Sequence, residues 1–222
     1  YDTAVAAATS NGDDPRGFFV QSCTVGGSSS TGRTAFLASG TANADALAAG
    51  PISNALRIPV FLTPATSLPS SVVKALASQG IRNLIVLGGA ERVPDSVVAQ
   101  AQAAGVQTVV RIAGSNRFDT AAKLYAFARG TLTAANGSHY GSGAGDPVFL
   151  ANGLTGFPDA LAVGPLAAKA GAVLLTTSAT RLEPTARAFL AANKSTLGTV
   201  TALGKSPTVA DSALAAAQAA LK

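Results

Sequence analysis

The chain has no tryptophan, no methionine, one cysteine and one histidine, and only 12% of its 222 residues are charged. Each scarcity excludes something. A single thiol, Cys23, forms no internal disulfide and no cysteine-based metal site, and its expected place is a half-buried position in a Gly/Ser-rich loop. His139 lies in a polar loop with no catalytic partner motif, so it reads as a solvated residue. No run of about 18 apolar residues is present, so no helical membrane span is expected. There is no Lys/Arg run, and aromatics are 5% of the chain without interleaved bases, so no nucleic-acid partner is expected. Without an initiator Met or a signal peptide, the chain reads as a processed or excised piece.

What is present is nearly half apolar, 48% hydrophobic residues, with a net charge of +5. So few charges against so much apolar surface require burial between layers, which predicts an Ala-rich helix-and-sheet protein. The basic excess favours anionic partners such as nucleic acid, acidic glycans or wall polymers, and bears on association but not on fold.

The strongest signal is repetition, at a spacing of about 113 residues. Leu37-Ala38-Ser39-Gly40 and Asp45-Ala46-Leu47-Ala48 return as Leu150-Ala151-Asn152-Gly153 and Asp159-Ala160-Leu161-Ala162. Gly50-Pro51 returns as Gly164-Pro165, Val60-Phe61-Leu62-Thr63 as Val173-Leu174-Leu175-Thr176, and Tyr1-Asp2-Thr3-Ala4 as Phe118-Asp119-Thr120-Ala121. Each copy is long enough to bury its own core, so two tandem units are expected, 1–110 and 111–222.

Within each unit short apolar runs alternate with helical stretches, the pattern of parallel sheets flanked by helices. The fold class is therefore α/β: two tandem Rossmann-like or flavodoxin-like modules. Helices are predicted over 1–10, 45–56, 68–78, 93–104, 117–129, 157–170, 182–193 and 208–221. Strands are predicted over 34–38, 58–63, 84–87, 106–112, 147–151, 172–176 and 199–203, with 106–112 opening the second unit. The segments 11–32 and 131–145 are rich in Gly, Ser, Thr and Asn, and read as surface loops on matching edges.

The sharpest local motif is Arg111-Ile112-Ala113-Gly114-Ser115-Asn116-Arg117-Phe118-Asp119-Thr120-Ala121. It leaves a strand, turns at Gly114 and enters a helix, placing two guanidiniums beside helix N-terminal amides, a natural anion-holding arrangement. Equally, Arg117 and Asp119 could cap the helix and tie the turn to a neighbouring loop.

This motif resembles the signature of the cell wall-binding repeat 2 family, Arg-x-x-Gly-x-x-Arg followed by an aromatic residue, an acidic residue, Thr and Ala. Leu150 to Gly153 with Phe157-Pro158-Asp159-Ala160-Leu161 is similar to its second element. Pro59 to Thr63 and Ala172 to Thr176 resemble its third, and Val86-Leu87-Gly88-Gly89 its fourth. The first unit opens at the aromatic position, Tyr1, so its Arg-x-x-Gly-x-x-Arg half is missing or lies upstream. Gly204-Lys205 stands where the family has Gly-Gly, and Asn43-Ala44-Asp45 where it favours Phe-Pro-Asp.

The resemblance implies pseudo-Rossmann modules that attach a secreted bacterial protein to its wall without catalysis. The partner would be an anionic cell-wall polysaccharide or secondary wall polymer. Further modules, in cis or in trans, would pack with these, in threes. The implied location is extracellular, at the cell wall or surface, with no cofactor and no metal. The residues expected to contact ligand are Arg111, Arg117, Asp119, Thr120, Phe157, Pro158 and Asp159. Two other readings stay open. One is a subunit of a surface layer or filament; the other is a dinucleotide- or phosphate-binding Rossmann enzyme, for which Leu87-Gly88-Gly89-Ala90-Glu91 lacks the third glycine. A hydrolase finds no Gly-x-Ser-x-Gly elbow and no zinc-ligand spacing.

Overall fold

The computed structural model describes residues 1–9, 22–25, 31–134, 137, 139–141, 143–155 and 157–222. The first part of the chain forms α1 (Asp2–Thr9), β1 (Ser22–Thr24), β2 (Thr31–Ser39), α2 (Asn43–Leu56), β3 (Val60–Thr63), α3 (Ser70–Ser78), β4 (Asn83–Leu87), α4 (Asp95–Ala103) and β5 (Thr108–Ile112). Then follow α5 (Arg117–Gly130), β6 (Thr133–Ala134), β7 (Asp146–Asn152), α6 (Phe157–Ala162), α7 (Gly164–Ala170), β8 (Val173–Thr177), α8 (Pro184–Ala192), β9 (Leu197–Ala202) and α9 (Asp211–Ala220).

The apolar runs become fully buried strands because helices cover both their faces. β4 and β8 are buried at every residue, the signature of a parallel strand with no polar side. Parallel pairing gives the first sheet the order β3-β2-β4-β5, and the second the order β8-β7-β9. In both, the second strand of the unit lies to one side of the first and the third to the other, which is the flavodoxin-like order. The α/β reading with two repeated, helix-flanked units therefore holds.

Four local expectations need correction. The strand at 106–112, read as opening the second unit, pairs in parallel with β4 and forms the edge of the first sheet. The repeat boundary between 110 and 111 thus falls inside β5. The single helix predicted over 157–170 is interrupted at Val163, with Pro165 in the first turn of α7, whereas the equivalent Pro51 lies inside the continuous α2. The two expected loops also contain paired backbone: β1 pairs antiparallel with the start of β2 and with β6, linking the two segments. Residues 11–21, 26–30, 135, 136, 138 and 142 of those loops lie outside the described residues. Cys23 sits in β1 and is fully buried, not half-exposed in a loop, and burial pushes its thiol up to about 11. Period-based reading missed these short pairings because they carry no alternation.

The units are joined by a continuous apolar core. Helix α2 of the first packs against α5, α6, α7 and β8 of the second. Ala48, Ala49 and Ile52 share one buried cluster with Tyr125, Leu174 and Leu190. The opposite face of the first sheet has its own core, built from Leu37, Phe61, Leu84 and Val86 against α1, α3 and α4. Helix α5 is buried on several sides, which is why its apolar residues do not fall on a single stripe.

Candidate ligand-binding site

Residues 113–120 fold as a turn that satisfies the start of α5. Asn116 is the N-cap, its Oδ1 accepting from the N–H groups of Phe118 and Asp119 at 3.0 Å each. The Gly114 N–H donates to Thr120 Oγ1 at 3.0 Å, and the Ser115 N–H to Asp119 Oδ2 at 2.9 Å. A side chain at Gly114 would run into the backbone of Asp119 and Thr120, so the turn admits only glycine. Desolvation acts to raise the Asp119 carboxyl, but the Ser115 N–H and Lys123, with Nζ at 3.1 Å, outweigh it and hold the group below its ordinary value.

The two arginines of the motif diverge. Arg111 donates to Gly88 O at 3.0 Å and pairs with Asp95 Oδ1 at 2.7 Å, fastening the end of β5 to the turn after β4. Arg117 is exposed and donates to Gly153 O at 3.0 Å, the tie to a neighbouring loop that the motif allowed.

A polar cleft of about 260 Å³ opens between the units. Ala42, Ala44 and Asp45 line it from the β2–α2 connection, Gly88, Gly89, Glu91 and Arg92 from the β4–α4 connection, and 114–117 with Thr120 from the turn into α5. It lies beyond the carboxyl ends of β2 and β4, where chain connections leave in opposite directions. Open parallel sheets place ligand crevices at this switch point. Asp45 is only 9% exposed, and its Oδ1 has no hydrogen-bond partner among the described residues. Burial pushes this carboxyl above the usual range; the Thr120 hydroxyl, Arg117 and Arg92 partly offset that, and Glu91 adds to it.

Of the residues singled out in the sequence, Arg117 and Thr120 reach this cleft, whereas Arg111 is absent from its lining and Asp119 is committed to the turn. Pro158 is exposed and Asp159 half-buried at the corresponding place on the second sheet; the side chain of Phe157 lies outside the described residues. Asp45, Glu91 and Arg92 were not among the residues expected to contact ligand. Asp45 was legible as the repeat counterpart of Asp159, but Glu91 and Arg92 carry no motif. His139 is half-buried and its Nδ1 lacks a partner among the described residues. Among the described residues no cluster of three or more His, Cys, Asp or Glu could hold a metal ion, and no helix is long and apolar enough to cross a membrane.

The cell wall binding domain 2 (CWB2) profile matches residues 1–98 and 111–219, one match per repeat, and the chain belongs to that family. The fold is that of two solved proteins of Clostridium difficile. Cwp6 superposes with a TM-score of 0.77 at 17% identity, covering 99% of this chain and 30% of its own. Cwp8 gives a TM-score of 0.68 at 22% identity, with 85% of this chain and 29% of its own covered. The chain thus spans less than a third of either protein. No curated protein sequence matches it significantly. Membership of that family defines a cell-wall-binding module, which implies a cell-surface or wall location.

Proposed function

We propose that this chain is a non-catalytic anchor that holds a secreted bacterial protein to its wall by gripping an anionic secondary wall polymer. The observation that carries this reading is the cleft at the first switch point, where Arg92 and Arg117 face the same polar space. Guanidiniums meet phosphate or carboxylate groups through charge-assisted hydrogen bonds, and the excess of positive charge draws such polymers in. Arg117 makes direct contact; Thr120 and Asp119 shape the turn that presents it, and Arg111 secures the strand behind. The two repeats, 1–110 and 111–222, form one anchoring array, with β5 exchanged onto the first sheet.

A further repeat unit is the second partner. Ile52 and Pro51 are buried against the second unit, while their counterparts Leu166 and Pro165 are exposed. Leu161 and Leu166 are 65% and 58% exposed, an uncovered copy of a face that is elsewhere an interface. The same face favours the alternative of a self-assembling surface-layer or filament subunit.

The test is retention of the chain on isolated walls before and after chemical removal of the non-peptidoglycan polymers. Retention on intact walls, lost on stripped walls and weakened by salt, is the expected result. Equal retention on stripped walls would overturn the polymer reading, and no retention on either would favour self-assembly.

A further inference from the structure

The cleft has walls from two different units. Asp45 and residues 88–92 belong to the first, while 114–120 belong to the second. The repeat supplies counterparts for three residues of the first wall, Asp45, Gly88 and Arg92. Asp159 stands beside Gly204 as Asp45 stands beside Gly88: in each pair a Cβ on the glycine would lie 2.8 Å from the carboxylate Oδ2. Both glycines have positive φ, +97° and +85°. Thr208 fills the place of Arg92, lying against Gly204 as Arg92 lies against Gly88.

The surroundings of the two places differ. Gly88 is buried, Asp45 nearly so, and Thr120 is 3% exposed inside the seam. Gly204 is exposed and Asp159 half-buried; Thr3, the counterpart of Thr120, is exposed at the far end of the repeat pattern. At the second switch point Thr208 stands where the first has Arg92.

We infer that ligand sites in this protein are assembled at the seams between consecutive units, so that these two units hold one complete site at Asp45 and an open half-site at Asp159. The inference rests on the wall-binding reading above and specifies its site. The complete site presents two guanidiniums, two carboxylates, hydroxyls and glycine-rich turns in about 260 Å³. That is below the ~300–1,000 Å³ of pockets for drug-sized ligands. It fits one sugar residue bearing an acidic group: the arginines take the anion, and Asp45 and Glu91 accept from hydroxyls. A unit outside an array has only half of this chemistry.

The test is calorimetric titration of the chain with size-fractionated polymer fragments released from the walls of the encoding organism. One site per chain is expected. Arg92→Ala in the first unit and Arg117→Ala in the second should each weaken binding about tenfold, because one charge-assisted contact is lost. Both side chains are exposed, and a melting curve checks each fold. Two equivalent sites per chain, or undiminished binding by Arg92→Ala, would overturn the seam site while leaving wall binding intact. The stoichiometry needs no variant, so a misfolded one cannot mask the result. Failure of the unaltered chain to bind either fragments or walls would instead overturn the wall-binding reading itself, and the seam site with it.

Discussion

Oδ2 of Asp45 lies 2.8 Å from where a Cβ on Gly88 would stand. The backbone there has φ +97°, a conformation that disfavours any side chain. Gly88→Ala should therefore destabilise the protein by about 2 kcal/mol, from backbone strain together with displacement of a buried carboxylate. A Cβ on Gly89 would meet only the flexible end of Glu91, so Gly89→Ala should stay within about 0.5 kcal/mol. Urea unfolding of the two variants checks this. It also explains why the second repeat tolerates Lys205 after Gly204: only the first glycine of the pair is required by geometry.

The Asp45 carboxyl is raised by burial, which fixes the sign of its pH dependence. A group whose folded value exceeds its unfolded value stabilises the fold below the unfolded value, and loses that contribution as pH rises through the folded one. Ionising Asp45 in the folded state is therefore a cost. Asp45→Asn should be at least as stable as the unaltered chain at pH 7, and the difference should shrink as pH falls toward the ordinary carboxylate range. Melting temperatures across that range measure it. A variant markedly less stable at pH 7 would show that the neighbouring arginines dominate.

Arg129 and Asp146 form an ion pair with both side chains 10% exposed, fastening the start of β7 to the last turn of α5. Removing one partner leaves the other charge buried. Arg129→Met should cost about 3 kcal/mol or more, read as a drop in the urea midpoint.

Leu161→Asp with Leu166→Asp should abolish any concentration-dependent association while leaving the melting temperature nearly unchanged, because both side chains are exposed. Sedimentation over a concentration series decides it. Association that persists in the double variant would place the contact elsewhere.

The parallel sheets were legible because Leu84 to Leu87 and Ala172 to Leu175 are short continuous apolar runs alternating with helical stretches, the pattern of doubly covered strands. The repeat itself announced two units. What the sequence did not disclose was which sheet would take Val106 to Ile112, since an edge strand pairs by its connections and leaves no mark in its own pattern. Arg117 and Thr120 were found through their motif; Asp45 was not picked out, although its copy Asp159 was. Arg92 was invisible, because it reaches the cleft by chain topology from a turn that reads as an ordinary connection.

The most direct test of the central claim is amide chemical-shift mapping of the isotopically labelled chain during titration with released wall polymer. The account expects the largest shifts at Gly88, Gly89, Gly114 and Ser115, on both sides of the seam. Shifts confined to the outer helices α8 and α9, with the seam amides unmoved, would contradict it.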